Sequence, residues 1–279
     1  MAVYRERDGN IVREYTLEES KTILRKQCDF ACLDAVSTKE FGMSFFLDNE
    51  LQFSEFDEYI YHEMLVHPCL SLSSEQSSVC IIGGGDGCAA REVLKWPNIE
   101  KVDLIDWDKT LTRMFQHTFS YFNSGSLEDP RVRIENKNIQ DCLHEERQYD
   151  CILVDLLDPD FEKKRQDDLW YDVLFLVKHW IKPGGCISIN LGGILPGDTT
   201  TVEIMTALLK DRISLPHRLY KVFVPSFARE WCFALIGNIE LCTLEALPSN
   251  LRYLSEDAWI AANCWPTAYT QNLNPVHNI

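Results

Sequence analysis

The stretch Val79-Cys80-Ile81-Ile82-Gly83-Gly84-Gly85-Asp86-Gly87-Cys88 decides the fold of this chain. Its apolar run predicts a buried strand, its glycines predict a sharp turn, and a helix is expected to open at Ala89. Gly83, Gly85 and Gly87 let the backbone approach a ligand closely, and the helix N-terminus offers free N–H groups. The loop therefore predicts a nucleotide or nucleoside site, although this pattern alone is equally compatible with a plain strand–helix turn.

The carboxylate of Asp86 separates this loop from phosphate-binding turns. Those turns present amide N–H groups and the positive end of a helix dipole, and an acid among them would repel a phosphate. Cys88 also stands where the dinucleotide fingerprint has its third glycine, and the Walker lysine is missing. The loop is therefore expected to take a ligand that is uncharged at its nucleoside and cationic beyond it.

A second acid, Asp106, ends the next predicted strand, about twenty residues after the loop. In doubly wound folds an acid at this place binds the two ribose hydroxyls. The alternative is that Asp106 caps the helix expected near Asp108. The glycine loop and Asp106 together favour binding of a ligand over the role of a helix cap for Asp106.

Strands alternate with helices after the glycine loop, which is typical of an α/β, doubly wound and mostly parallel sheet. Strands are predicted at 101–106, 132–135, 151–156, 186–191, 219–224 and 231–236, helices at 167–180, 200–210 and 255–262, and a turn at 182–185. Short strands at 30–36, 43–47 and 50–53 predict a small N-terminal β-domain, and the first twenty or so residues are too polar to assign. We therefore expect a β-strand domain over residues 1–70, a Rossmann-like domain over 71–240 and a C-terminal extension over 241–279.

Composition narrows the classes of function. The hydrophobic content of 46% is that of a globular protein, and a net charge of −16 excludes a basic surface for nucleic acid while suiting a polycationic substrate.

Neither a membrane-spanning run nor a signal peptide is visible, so no membrane partner is expected. Eleven cysteines without a CxxC pair predict reduced thiols and a cytoplasmic location. No metal is expected, because nothing completes a zinc-like spacing around His62 and His67, and His67-Pro68 predicts the end of a helix.

A third acidic segment, Val154-Asp155-Leu156-Leu157-Asp158-Pro159, follows the predicted strand at 151–156. Its two carboxylates suit the binding and deprotonation of an amine, and the alternative is a cap or turn before the proline. Together with the glycine loop, Leu51-Gln52-Phe53-Ser54 and Asp57-Glu58-Tyr59-Ile60-Tyr61-His62-Glu63-Met64, the chain resembles the spermidine synthase family of polyamine aminopropyltransferases over roughly residues 26–240. Val224–Phe227 is similar to the Val-Pro-Ser-Phe segment of a branch of predicted bacterial spermidine synthases, which carry Asp-Leu-Pro-Asp-Pro at the acidic segment.

The resemblance implies a methyltransferase-like, Rossmann-like fold and a homodimer. It also implies that the aminopropyl group of decarboxylated S-adenosylmethionine is transferred to putrescine or a related di- or polyamine, with release of methylthioadenosine. The donor is a co-substrate, and no bound prosthetic group is implied. Asp86 would hold the donor ammonium and would repel the carboxylate that ordinary S-adenosylmethionine retains.

The resemblance also assigns roles to individual residues. Asp155 is the implied base, since an alkylammonium must lose a proton before its nitrogen can attack, and Tyr61 would position the amine. The implied donor-binding residues are Gln52, His62, Gly83, Gly85, Asp86, Gly87, Asp106 and Asn138. The implied acceptor-binding residues are Asp158, Asn190, Phe227 and Glu230.

Three of these residues depart from the family pattern, which has Asp, Gln and Tyr where Asn138, Asn190 and Phe227 stand. The amide of Asn138 still accepts a hydrogen bond from an adenine amino group, whereas Phe227 has no hydroxyl and Glu230 would have to compensate. Two alternatives stay open: an S-adenosylmethionine-dependent amine N-methyltransferase, against which Asp86 argues, and a catalytically silent homologue that acts as a binding protein.

Overall fold

Antiparallel strands at the N-terminus precede a large mixed sheet in this computed structural model, which describes residues 2–8, 11–18, 24–157, 166–213, 215–237, 243–244, 246–270, 273 and 276–277. The strands are β1 (Val3–Asp8), β2 (Ile11–Thr16), β3 (Leu24–Gln27), β4 (Cys32–Thr38), β5 (Gly42–Leu47), β6 (Glu50–Ser54), β7 (Ser78–Gly83), β8 (Lys101–Ile105), β9 (Val132–Glu135), β10 (Tyr149–Asp155), β11 (Ile181–Ile194), β12 (His217–Val224), β13 (Arg229–Gly237) and β14 (Val276–His277). The helices are α1 (Glu58–Leu72), α2 (Cys88–Val93), α3 (Lys109–His117), α4 (Gln166–Trp180), α5 (Thr200–Arg212), α6 (Glu256–Ala262) and α7 (Thr267–Thr270), with 3-10 turns at Ser126–Glu128, Ile139–Cys142 and Pro225–Phe227.

The N-terminal strands form a β1–β2 hairpin and a four-stranded antiparallel sheet in the order β3-β4-β5-β6. Opposite charges face each other across the hairpin, with Arg5 paired to Glu14 at 2.7 Å and Arg13 to Glu6 at 3.1 Å. Such cross-strand pairs stabilise a hairpin whose sequence is too polar to identify from apolar alternation. The predicted domain limits at residues 70 and 240 stay predictions.

The main sheet has the strand order β14-β12-β13-β11-β10-β7-β8-β9. The pairs from β11 to β9 are parallel, and β13, β12 and β14 are antiparallel. This confirms the α/β fold class. Because β7, β8 and β10 are parallel neighbours, their carboxyl ends meet at one edge of the sheet, where Gly83 is in register with Asp155.

Alternate residues of the central strands feed two hydrophobic cores, one on each face of the sheet. Val79 and Ile81 belong to the core that also contains the N-terminal strands and α1, while Cys80 and Ile82 pack with α4 and α5. Both faces of β7 are therefore buried, which explains its continuous apolar run. Among the described residues no helix is both long enough and apolar enough to cross a membrane.

Two local predictions differ from the structure. The predicted turn at 182–185 lies inside β11, whose pairing with β10 shifts register there: Tyr149 pairs with Ile181, and Cys151 pairs with Cys186. The segment is thus an irregularity within a continuous strand.

The predicted helix end at His67-Pro68 is wrong, because α1 continues to Leu72 with Pro68 inside it. A proline has no N–H, so it leaves the carbonyl oxygen four residues earlier without its helical donor. Here that oxygen, on Met64, accepts a hydrogen bond from Tyr220 Oη on β12 at 2.8 Å. The helix therefore passes through the proline without an unsatisfied buried carbonyl.

Candidate active site

The glycine loop is hydrogen-bonded to residues at the ends of β8 and β10, the two neighbours of β7. Gly83 has a φ of +86°, and a Cβ there would overlap the carbonyl oxygen of Asp155. The Gly84 N–H donates to that same oxygen at 3.2 Å, and the Gly85 N–H donates to Asp106 Oδ2 at 3.0 Å. The loop, Asp106 and Asp155 therefore form one continuous hydrogen-bonded edge at the carboxyl ends of β7, β8 and β10.

Asp106 is not the cap of α3. Asp108 caps that helix by accepting from the Leu111 N–H at 2.8 Å, whereas Asp106 Oδ1 accepts from the Asp108 N–H, also at 2.8 Å. Desolvation raises the pKa of Asp106 to about 6, against the hydrogen bonds from Asp108 and Gly85. With one backbone donor on each oxygen, the carboxylate is held beside the glycine loop and retains lone pairs that can accept hydroxyl hydrogens.

Side chains from α1 face the loop and the end of β10. Tyr61 Oη donates to Asp155 Oδ1 at 2.7 Å. His62 Nε2 lies 3.8 Å from Asp86 Oδ1, and that oxygen accepts from the Cys88 N–H at 2.7 Å. Adjacent residues of one helix thus reach two acids that are far apart in sequence, and we define Tyr61, His62, Asp86 and Asp155 as the acid–histidine cluster.

The cluster changes the protonation equilibria of its members. Desolvation raises the pKa of Asp155 to about 6, although His62 and the hydrogen bond from Tyr61 act in the opposite direction. Burial alone would lower the pKa of His62, but the hydrogen bond to Glu58 and the charges of Asp86, Glu58 and Asp155 outweigh it and raise this pKa to about 9. These shifts favour the charged form of the His62 ring and give Asp155 a proton affinity that is unusually high for a carboxylate.

The cluster could also be considered as a metal site. One ligand atom each of His62, Asp86 and Asp155 lie within 4.8 Å of one another, and so do those of Glu58, His62 and Cys88. Sequence spacing could not reveal either complete group, because each joins residues of α1 to residues of other elements. A metal ion bound here would have to displace the proton that the raised pKa of His62 favours. With two carboxylates around one imidazolium, this part of the site has an excess of negative charge, which attracts a cation.

An aromatic wall borders the cluster on the side of β13. Phe227, with 6% of its surface exposed, packs against Trp231 with ring centroids 4.3 Å apart and against Tyr61 at 6.5 Å. Asn190 Oδ1 accepts from Trp231 Nε1 at 2.8 Å, and Asn190 Nδ2 donates to the Leu156 carbonyl at 3.1 Å. The structure thus brings Phe227 to the cluster, while the Asn190 amide supports the wall.

Asp57 fixes the position of Phe227 relative to α1. Its carboxylate accepts from Ser226 N at 2.6 Å, Ser226 Oγ at 2.8 Å and Ser54 Oγ at 2.7 Å, and only 1% of Asp57 is exposed. The Val-Pro-Ser-Phe segment is thereby joined to the start of the helix that carries Tyr61. Nothing in the sequence motif indicated this connection.

Other predicted site residues lie elsewhere or have other partners. Glu230 pairs with Lys221 and points away from Trp231, because adjacent strand residues face opposite sides, so the structure does not bring it to the cluster. Gln52 Nε2 donates to the Glu50 carbonyl at 3.0 Å, and Asn138 Oδ1 caps the turn Ile139–Cys142 by accepting from Gln140 N at 3.0 Å. Asp158 lies outside the described residues.

Glu58 and Arg91 were missed as site residues. Glu58 binds both His62 and Arg91 and is 5% exposed. The i, i+4 spacing of Glu58 and His62 on a helix is a signal that the sequence offers. The contact between Glu58 and Arg91 spans 33 residues, so no local pattern indicates it.

Comparison with known proteins gives the family. The model of the spermine/spermidine synthase domain matches residues 58–244. The chain belongs to this family. It is 34% identical over 207 residues to the polyamine aminopropyltransferase of Korarchaeum cryptofilum, covering 72% of this chain and 62% of that protein. It is 37% identical over 238 residues to polyamine aminopropyltransferase 1 of Streptomyces coelicolor, covering 82% of this chain and 43% of that protein.

Solved structures confirm the fold. A spermidine synthase in complex with the transition state analogue AdoDATO superimposes with a TM-score of 0.87 at 23% identity, covering 97% of this chain and 94% of that one. Spermidine synthase from Thermotoga maritima gives a TM-score of 0.83 at 22% identity, again over 97% and 94% of the two chains. The chain spans 62% or less of the lengths of the two curated relatives above.

Proposed function

We propose that this chain transfers the aminopropyl group of decarboxylated S-adenosylmethionine to a di- or polyamine such as putrescine, releasing methylthioadenosine. The observation that carries this proposal is the placement of Asp86 within the glycine loop, facing Asp155 across His62. A donor without a carboxylate presents only an ammonium to Asp86. Ordinary S-adenosylmethionine would place a second negative charge against it.

The acids of the site suit the bond changes. The amine nitrogen attacks the methylene carbon beside the sulfonium, so an N–C bond forms and the C–S bond breaks. The electron pair of that bond returns to sulfur, and methylthioadenosine leaves as a neutral thioether. Asp155 takes the proton that the amine must lose, and the hydrogen bond from Tyr61 to Oδ1 leaves Oδ2 for this task.

The remaining predicted residues complete the proposal. Gly83, Gly85 and Gly87 would let the nucleoside approach, and Asp106 would accept the ribose hydroxyls. Gln52 could contact the donor through its amide oxygen, whereas Asn138 Oδ1 would share its hydrogen bond from Gln140 N. Phe227 would line the acceptor side, with Asn190 behind it and Asp158 as a further predicted carboxylate, whereas the position of Glu230 gives no support to an acceptor role.

Incubation with decarboxylated donor and a panel of amines tests the proposal. Putrescine, cadaverine, agmatine and spermidine are assayed one at a time, and mass spectrometry follows methylthioadenosine and an amine enlarged by one aminopropyl group. Asp155→Asn serves as the inactive control. A methylated amine formed from ordinary S-adenosylmethionine, together with tighter calorimetric binding of that donor, would establish the methyltransferase alternative instead.

We also propose that the chain acts in the cytoplasm as a homodimer. We expect the chain to act in the cytoplasm, since the described cysteines are free thiols, as in a reducing compartment. A homodimer is expected from the family resemblance alone. Light scattering after size-exclusion chromatography measures the mass that decides it.

A further inference from the structure

A buried hydrogen-bonded pair, Glu58 with Arg91, stands behind His62. Arg91 Nη1 and Nη2 donate to the two oxygens of Glu58 at 3.0 and 2.8 Å. The Glu58 Oε2 atom also lies 3.0 Å from His62 Nδ1. Only 5% of Glu58 and 3% of His62 are exposed, so these contacts are made away from solvent.

The chemistry of these partners fixes the proton on His62. Nδ1 lies 2.8 Å from the Glu58 backbone carbonyl as well as 3.0 Å from its carboxylate, and both groups can only accept hydrogen bonds. Nδ1 must therefore carry a hydrogen. The ring is then oriented so that Nε2 faces Asp86 at 3.8 Å.

Arg91 is itself held rigidly. Its Nε donates to Glu92 Oε1 at 2.8 Å, and Nη1 donates to the Phe122 carbonyl in addition to Glu58. A planar guanidinium fixed on three sides presents two parallel N–H groups to Glu58, which sets the orientation of that carboxylate. The contacts thus run without interruption from α2 to the imidazole of α1.

We propose that Glu58, oriented by Arg91, is a positioning residue that holds His62 as an imidazolium between Asp86 and Asp155, so that Asp155 stays ionised at neutral pH. The structural part concerns His62 alone. The consequence for catalysis rests on the proposed aminopropyl transfer, in which Asp155 is the base.

The charges around His62 support this arrangement. Glu58 on α1, Asp86 on the glycine loop and Asp155 at the end of β10 face the ring, while Cys88 on α2 is a buried thiol whose pKa lies well above its ordinary value. Phe53 of β6 contributes only an uncharged ring edge. The ring of His62 thus stands among three carboxylates, and one of them, Glu58, is also paired with the Arg91 guanidinium. Loss of the positive charge on His62 would leave Asp86 and Asp155 repelling each other, which favours protonation of Asp155.

Nuclear magnetic resonance of the imidazole nitrogens tests the structural part without any substrate. The His62 signal is identified by its absence from the His62→Gln variant and is followed from pH 5 to pH 10. The wild-type ring is expected to stay charged beyond pH 8, and Glu58→Gln is expected to lower its midpoint by about one to two pH units. An unchanged midpoint in Glu58→Gln, or a neutral wild-type ring at pH 7, would overturn the proposal.

Glu63→Gln is the matched control on the same helix. Glu63 is a fully buried carboxylate that accepts from the backbone N–H groups of Arg252, Tyr253 and Leu254 at 2.7 to 2.8 Å. Its substitution perturbs the packing of α1 but is expected to leave the His62 titration in place. A shift as large as that of Glu58→Gln would mean that the titration reports general loosening of the helix.

The pH profile of kcat/KM tests the catalytic part. In Glu58→Gln the acidic limb is expected to move upward by about one pH unit, because Asp155 is then protonated more readily. A uniform loss of rate with an unmoved limb would refute the coupling. Wild-type protein that transfers no aminopropyl group would refute the proposed function, yet the resonance experiment would still decide the state of His62.

Discussion

Replacement of Asp155 by asparagine tests whether the acid at the centre of the site is ionised there at the expense of stability. Desolvation raises the pKa of Asp155 from 3.8 to about 6. Between these values the folded chain retains a proton that the unfolded chain has released, so stability falls as the pH rises. At pH 8, well above both pKa values, the folded and unfolded states are ionised, and the carboxylate then costs the folded state about 3 kcal/mol.

The Asp155→Asn variant has no such cost, while its amide oxygen still accepts the hydrogen bond from Tyr61 Oη. It is therefore expected to be more stable than the wild type by about 3 kcal/mol at pH 8 and by roughly half as much at pH 5. Urea unfolding followed by circular dichroism at both pH values measures the two gains. The same variant is expected to lose transfer activity by roughly 100- to 10,000-fold.

Asp150, near the other end of the same strand, provides a control of opposite sign. Burial disfavours its ionised form, but hydrogen bonds from Lys182 and Ser78 outweigh this and lower its pKa to about 2. The free energy of unfolding of Asp150→Asn should therefore be lower than that of the wild type by about 2 kcal/mol at pH 8. The reasoning fails if Asp155→Asn is less stable than the wild type at pH 8, or if its gain does not shrink at pH 5.

Three further substitutions probe the site. Asp86→Asn is expected to weaken binding of decarboxylated donor by roughly 10- to 100-fold and to narrow its preference over S-adenosylmethionine, as calorimetry with both donors would measure. Gly85→Ala places a Cβ 2.7 Å from Asp106 Oδ2, so the donor KM should rise by about tenfold with kcat little changed; an unchanged KM would contradict a ribose site there. Tyr61→Phe removes a hydrogen bond that lowers the pKa of Asp155, so the acidic limb of kcat/KM should move to higher pH, and a limb that moves to lower pH would refute this sign.

The fold could be predicted where local sequence specifies local structure. The apolar run before Gly83 and the alternation of strands and helices after it correspond to β7 and the elements that follow. The β1–β2 hairpin could not be predicted in this way, because Arg5–Glu14 and Arg13–Glu6 are charge pairs that become visible only when the register is known. The helix end predicted at Pro68 failed for the same kind of reason, since the compensating donor comes from a distant strand.

The same distinction between local patterns and long-range contacts applies to the candidate site. Acids at strand ends are recognisable in sequence, and Asp86, Asp106 and Asp155 do meet at the edge of the sheet. What sequence could not supply is the set of contacts that orients them, since Arg91 reaches Glu58 across 33 residues. Glu230 shows the converse: its neighbour Trp231 faces the cluster, and the period of two along a strand sends Glu230 to the other side.

The hydrogen bond from the Tyr220 hydroxyl to the Met64 carbonyl has a consequence for the order in which the chain folds. Synthesis completes α1 long before β12 leaves the ribosome, and the two partners are 156 residues apart. Until β12 docks, the carbonyl opposite Pro68 has to be satisfied by water, which keeps that turn of the helix accessible to solvent. The helix that bears Tyr61 and His62 therefore reaches its final packing only after the second half of the sheet has been added.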